Sequence, residues 1–186
     1  MRRFLFSFLV LLSVAGMTAG TPEPAAAADP ENTLYMDLEY GRVVIDMRPD
    51  LAPKTVARIK ELVRQKFYDG LTFHRVIGGF MAQGGDPDGN GTGGSGVNLP
   101  AEFSAEEHVR GTVSMARSRH PDSADSQFFI VFARSQWLDG QYTIWGQVSD
   151  GMEFVGKLKR GSQADNGAVD DPDKIIRMQV AADVKG

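Results

Sequence analysis

One short stretch concentrates the side chains that could do chemistry: Phe73-His74-Arg75-Val76-Ile77-Gly78-Gly79-Phe80-Met81-Ala82-Gln83-Gly84-Gly85-Asp86. It places a cation (Arg75), two large adaptable hydrophobes (Phe80 and Met81) and an amide (Gln83) close together in the chain. A second segment, Ser126-Gln127-Phe128-Phe129-Ile130-Val131, adds aromatics to an extended run. On a strand, residues 127, 129 and 131 share one face, and 128 and 130 take the other. A third, Trp137-Leu138-Asp139-Gly140, sets an apolar pair before a turn. The chemistry on offer is hydrogen bonding from a permanently charged, forked donor beside an apolar surface.

Each of these residues also has a plainer reading. Phe73, Val76, Phe128 and Ile130 suit a core. His74 taken alone is a hydrogen-bonded structural histidine sooner than a catalyst. Arg75 resists this treatment, because arginine is seldom buried without a partner. Its structural alternative is a salt bridge.

Other chemistries lack their residues. There is no cysteine, so thiol catalysis, disulfides and Cys-ligated zinc are excluded. Gly91-Thr92-Gly93-Gly94-Ser95-Gly96 fits G-x-G-x-x-G, but Pro100 sits where the required helix would need an N–H. Asp86-Pro87-Asp88-Gly89-Asn90-Gly91 opens like a calcium loop, yet the twelfth position is Val97 and not glutamate. His74, His108 and His120 show no i, i+4 pair and no H-E-x-x-H. No G-x-S-x-G elbow is present, and nothing singles out a serine nucleophile. The expectation is no metal and no cofactor. The net charge of −4 without a dense basic run argues against nucleic-acid binding.

The elements that must hold these residues follow from patterning. Arg2 and Arg3 precede an apolar Phe4–Val14 run, and Ala26-Ala27-Ala28 gives an A-x-A site before Asp29. This is the three-part secretory signal, with cleavage expected after Ala28 and Ala19-Gly20 as the alternative site. The apolar run is short for a membrane span of ~20 residues, so no membrane association is expected beyond this segment. Residues 1–28 are read as the signal peptide, 29–32 as a flexible mature N-terminus and 33–186 as one domain. Leu34–Glu39 alternates apolar and polar, and Val43–Met47 follows a Tyr40-Gly41 turn, which predicts an opening hairpin. Val56, Ile59, Leu62, Val63 and Phe67 make one stripe, predicting a helix over Pro53–Lys66. Short apolar runs at 72–77, 112–116, 127–132, 143–148 and 175–180 read as strands, with a short helix over 152–158. Residues 161–172 read as a loop of small and acidic residues. Many short strands with few helices predict a mainly β, closed or nearly closed antiparallel barrel.

Taken together, the three site segments resemble the signature blocks of the cyclophilins. The likeness runs from about Thr33 to about Val180 and includes Gly91-Thr92-Gly93-Gly94, Gly111-Thr112-Val113-Ser114-Met115-Ala116 and Phe154–Leu158. It implies an eight-stranded antiparallel closed barrel capped by two α-helices. It also implies a peptidyl-prolyl cis-trans isomerase acting on proline-containing folding polypeptides. By resemblance Arg75 is the catalytic arginine, and Phe80, Met81, Phe129 and Leu138 wall the proline pocket. Gln83 and Gln127 hold the substrate backbone, and Ala116 with the backbone of Arg117 forms the ledge beside the residue preceding proline. Gly91 and Thr92 line the neighbouring groove, and Trp137 matches the tryptophan that contacts cyclosporin. Arg117 stands where many members have asparagine, and Tyr142 where a histidine commonly lines the rim. The stretch from Gly96 to Phe103 is shorter than in many relatives, and Arg117–Ser126 is similar to the bacterial branch. A monomer in the periplasm or secreted medium is the accompanying expectation.

These residue types suit the implied reaction. An X-Pro bond rotates over a barrier of ~18–20 kcal/mol set by amide resonance. No bond to carbon breaks and no proton moves. The protein need only favour the twisted amide, whose nitrogen gains a lone pair that a guanidinium N–H can bond. The sequence leaves two other readings open: a chaperone-like binding module without useful turnover, and a structural part of an envelope assembly.

Overall fold

The computed structural model describes residues 29–184. The expected signal peptide and its cleavage site lie outside them. Eight strands form one antiparallel sheet: β1 (Thr33–Leu38), β2 (Gly41–Met47), β3 (Arg75–Ile77), β4 (Met81–Gly84), β5 (Thr112–Met115), β6 (Phe128–Val131), β7 (Ile144–Asp150) and β8 (Arg177–Val180). Their order is β3-β4-β6-β5-β7-β2-β1-β8. The opening hairpin is β1–β2, paired from Thr33 with Asp46 to Leu38 with Gly41.

The expected closed barrel needs one correction. The ladder ends at β3 on one side and β8 on the other, so regular pairing does not close the sheet. The segment read as a loop, together with Asp173 just beyond it, spans this seam instead. Phe73 N–H donates to Asp173 O at 2.9 Å, Val76 N–H to Gly167 O at 2.8 Å and Val169 N–H to His74 O at 3.0 Å. The sheet is a curled half-barrel stitched by irregular backbone, which carries no period-2 pattern to be read from sequence.

Two helices complete the architecture. Helix α1 (Pro53–Arg64) buries Thr55, Val56, Ile59, Leu62 and Val63 and packs across β8. Proline at its start sacrifices no intrahelical hydrogen bond. Ala52 offers no side-chain cap, so Glu102 supplies one from a distant loop. Its carboxylate accepts the N–H of Lys54 (3.0 Å) and Thr55 (2.8 Å), at the end where a negative charge is favourable. Lys66, which the sequence placed in the helix, has φ +58° and forms the left-handed stop just beyond it. Helix α2 (Met152–Val155) is shorter than its apolar run suggested and packs against β2. Residues 29–32, expected to be flexible, form a 3-10 turn at Pro30–Asn32 capped by Asp29. Lys60 Nζ donates to Asn32 Oδ1 at 2.8 Å and ties this turn to α1.

The main core lies inside the curl and is rich in aromatic rings. Trp145, Tyr68, Phe73 and Phe128 are fully buried there, meeting edge to face. Val76 and Ile130 join them, as the plainer reading of those residues expected. A second, smaller cluster sits apart from it: Met81, Phe129, Val131 and Leu138, with Ile77, Phe80, Ala116 and Tyr142 around them.

Candidate active site

Alternation along the strands separates the two clusters. On β4, Ala82 belongs to the main core while Met81 belongs to the small cluster. On β6, Phe128 and Ile130 belong to the main core, and Phe129 and Val131 to the small cluster. The register then aligns one row across four strands. Arg75 faces Gln83, Gln83 faces Phe129, and Phe129 faces Ser114. A slip of one residue would turn any of these side chains to the other face.

The row is bound by side chains as well as by backbone. Arg75 Nη1 donates to Gln83 Oε1 at 3.0 Å. Gln83 Nε2 donates to Gln127 Oε1 at 2.9 Å, and Gln127 Nε2 to Gly93 O at 2.8 Å. The other side of the guanidinium is held by one residue: Nε donates to Asn166 O and Nη2 to Asn166 Oδ1, both at 2.9 Å. No carboxylate among the described residues touches Arg75, so its plainer reading as a structural ion pair falls. Three of its five N–H groups are engaged, which leaves one on each terminal nitrogen. Burial pushes its pKa below the usual arginine value, yet arginine stays charged at any physiological pH.

A cavity of about 640 Å³ opens beside this fork. Arg75, Phe80, Met81, Gln83, Gly91, Ala116, Arg117, Phe129, Trp137, Leu138 and Tyr142 line it. Met81, Phe129 and Leu138 are nearly buried and form its floor, whereas Trp137 is 63% exposed at the rim. Phe80 and Trp137 pack at 5.5 Å between ring centroids, and Tyr142 meets Phe129 edge to face at 5.5 Å. A second cavity of about 290 Å³ adjoins it, lined by Thr92 and Gln127 among others. Gln83, Gly91, Ala116 and Arg117 line both. Every site residue expected from the sequence therefore falls on one of two joined cavities.

The seam contributes residues that the sequence reading missed. Asn166 is the most consequential, with Asp165, Ala168 and Val169 beside it. The signal was available in Asn166-Gly167. Both have positive φ (+52° and +81°), and Ala168 N–H donates to Asp165 O at 3.0 Å, the hydrogen bond that closes a type I′ turn. His74 also lines the main cavity. It is buried, and neither ring nitrogen bonds a backbone or side-chain group among the described residues. Burial lowers its pKa and favours the neutral ring.

Behind the pocket stands an arrangement with no sequence signature. Ser114 Oγ lies 2.9 Å from His108 Nε2, and His108 Nδ1 lies 3.1 Å from Asp139 Oδ1. Ser114 and His108 are wholly buried, so this trio cannot meet a substrate. It acts as a brace. The His108 ring stacks on Phe129, and Asp139 ends the 3-10 turn Gln136–Leu138 that presents Trp137. Arg134 and the N–H of His108 hold the Asp139 pKa down to about 2. The calcium-like Asp86 is likewise structural: its carboxylate accepts the N–H groups of Asp88, Asn90 and Gly91. Among the described residues no three His, Cys, Asp or Glu side chains gather as metal ligands.

Comparison with known proteins fits this geometry. Residues 33–180 match the family described as cyclophilin type peptidyl-prolyl cis-trans isomerase/CLD. The chain belongs to that family. A probable peptidyl-prolyl cis-trans isomerase of Brucella suis biovar 1 is 53% identical, covering 98% of this cyclophilin and 99% of the relative. The crystal structure of a cyclophilin from Hirschia baltica superposes with a TM-score of 0.76 at 27% identity, over 85% of this chain and 77% of that one. A Cryptosporidium parvum cyclophilin type isomerase, crystallised in the presence of the dipeptide Ala-Pro, gives 0.74 at 29% identity, over 80% and 98%. The activity of this cyclophilin is therefore peptidyl-prolyl cis-trans isomerisation.

Proposed function

We propose that this cyclophilin accelerates X-Pro rotation in polypeptides folding outside the cytoplasm, by donation from Arg75 to the twisted imide nitrogen. The observation that carries the mechanism is the held guanidinium beside an apolar pocket. Gln83 and Asn166 fix three of its N–H groups, and the pocket floor of Met81, Phe129 and Leu138 suits a proline ring. Planar X-Pro nitrogen is a poor acceptor, while the twisted form exposes a lone pair. A donor placed for the twisted form binds it better than either planar isomer, and only such a difference lowers the barrier. Gln83 and Gln127 would hold the peptide backbone so that one side of the bond rotates against a fixed partner. A 10⁵-fold acceleration needs about 7 kcal/mol of preferential binding. One preorganised donor supplies ~3–4 kcal/mol of that by analogy with oxyanion donors.

The remaining parts of the proposal rest on sequence and likeness. Proline-containing peptides are the substrate class, in keeping with the dipeptide in the Cryptosporidium parvum crystals. The Arg2-Arg3 start, the apolar Phe4–Val14 run and Ala26-Ala27-Ala28 support export to the periplasm or medium, with cleavage after Ala28. The exposed Trp137 supports cyclosporin contact, and the protein is taken to act as a monomer.

The deciding test is isomerisation of a short Ala-Pro peptide by the protein from Asp29 onward, beside Arg75→Ala. Loss of two or more decades in a folded variant is the expected result. A folded wild-type protein without turnover would overturn the proposal and favour a binding module.

A further inference from the structure

Arg117 is a second cation on the two cavities, and it is unlike the first. It lines both of them, on the wall they share. Its Nε and Nη2 donate to Gln141 O at 3.1 and 2.9 Å, and its Nη1 to Ser118 O and Arg119 O at 2.9 and 3.3 Å. Its guanidinium carbon lies 4.8 Å from the centre of the Tyr142 ring. These contacts hold the group in place, but all its partners are neutral. No carboxylate among the described residues pairs with it. A positioned positive charge without a carboxylate partner therefore belongs to the wall that the two cavities share.

Two carboxylates share these walls, one on each cavity, and neither bonds Arg117. Asp125 lines the second cavity, and its oxygens accept Ser95 N–H, Ser95 O–H and Gly96 N–H. Asp165 lines the main cavity only. Asp122, on the same loop as Arg117, lines neither and accepts Ala101 N–H. Arg75 adds a further positive charge to the main cavity.

The path of a bound peptide follows from the proposed function, on which this inference rests. With the proline ring among Met81, Phe129 and Leu138, the X-Pro bond must lie at Arg75 and Gln83. Gln83 is also part of the second cavity, so the residue before proline leads across it and past Arg117. We infer that Arg117 is a specificity-determining residue that favours an acidic side chain immediately before the proline. Opposite charges attract across this partly exposed site and like charges repel, each by the modest amount of a surface ion pair. The effect is expected at about threefold for Glu over Gln and about tenfold for Glu over Lys in kcat/KM.

The experiment uses the folded protein and three peptides that differ only in Glu, Gln or Lys before proline. Their kcat/KM values are compared at low salt and at 0.5 M salt. The order Glu, Gln, Lys is expected, with the Glu-to-Lys ratio falling toward one in high salt and in Arg117→Gln, and largely kept in Arg117→Lys. A wild-type ratio at or below one, or a ratio unchanged in Arg117→Gln, would overturn the inference. If Arg117→Gln does not fold, the salt series and Arg117→Lys still decide. Turnover with no Glu preference sinks this inference and leaves the isomerase reading standing. If no peptide turns over, the isomerase reading fails, and titrating the same peptides by chemical-shift change reads the Glu-to-Lys ratio as affinity. Equal affinities would then refute the role of Arg117.

Discussion

The sharpest consequence of the site geometry concerns Asn166, a residue with no part in the expected site. Its side-chain oxygen holds Arg75 Nη2 at 2.9 Å, while its backbone oxygen holds Nε at the same distance. Asn166→Gly removes the first contact and keeps the second. Glycine also accepts the φ of +52°, so the turn should survive with little loss of stability. A hydrogen bond to a charged group is worth ~1.5–3 kcal/mol when well buried. Arg75 is only partly buried, which places the loss nearer 1 kcal/mol, or about fivefold in kcat/KM. The assay is stopped-flow isomerisation of an Ala-Pro peptide, with a thermal melt as the folding control. The decisive comparison is a double-mutant cycle. If Asn166 acts only through the guanidinium, Asn166→Gly should cost nothing in an Arg75→Ala background. A fivefold loss in both backgrounds, or no loss in either, would refute the reasoning.

Three further outcomes follow from the same groups. Turnover should vary little between about pH 6 and 9, because Arg75 stays charged despite its burial; an acid limb below the ordinary histidine pKa, on the side to which burial moves His74, would implicate that ring and sink the mechanism. Stability has a different pH dependence. Burial lowers the pKa of both His74 and His108, so the unfolded chain binds more protons between those lowered values and ~6.5. Denaturation midpoints should therefore be highest above pH ~6.5 and fall as the pH drops below it, and a midpoint that rises on acidification from pH 7 would contradict this. Cyclosporin should inhibit the wild type, and Trp137→Ala should weaken that inhibition by about thirtyfold, as the loss of an exposed aromatic anchor does; an uninhibited wild-type protein would remove the assignment.

Much of this site was legible because it lies on regular strands. Period-2 alternation put Gln127, Phe129 and Val131 on one face, and the structure gives Phe129 and Val131 to the small cluster and Gln127 to the adjoining cavity. Helix α1 was legible for the same reason, its stripe recurring every three or four residues. Composition could not yield the seam, because residues 161–172 carry few apolar side chains and hold the barrel together through backbone bonds. Such contacts depend on φ and ψ more than on residue type, and the one legible clue was the Asn-Gly pair at 166–167. The Ser114-His108-Asp139 brace was hidden for another reason. Its members lie on different elements, and sequence gives no measure of their separation before the sheet is assembled.

The seam also explains why a half-barrel suffices for this chemistry. A continuous ladder between β3 and β8 would present only backbone amides along the edge strand that carries Arg75. The irregular segment instead brings a left-handed turn against that edge, where Val76 N–H meets Gly167 O. Asn166, one residue earlier, can then offer both its backbone and side-chain oxygens to a single guanidinium. A side chain added at Gly167 would collide with Ile77 on β3, so the close approach depends on glycine. The fork is held from one side by the sheet through Gln83, and from the other by the turn that replaces the missing ladder. Closure of the fold and orientation of Arg75 are thus one structural feature, which is why loosening residues 165–168 should lower turnover before it unfolds the core.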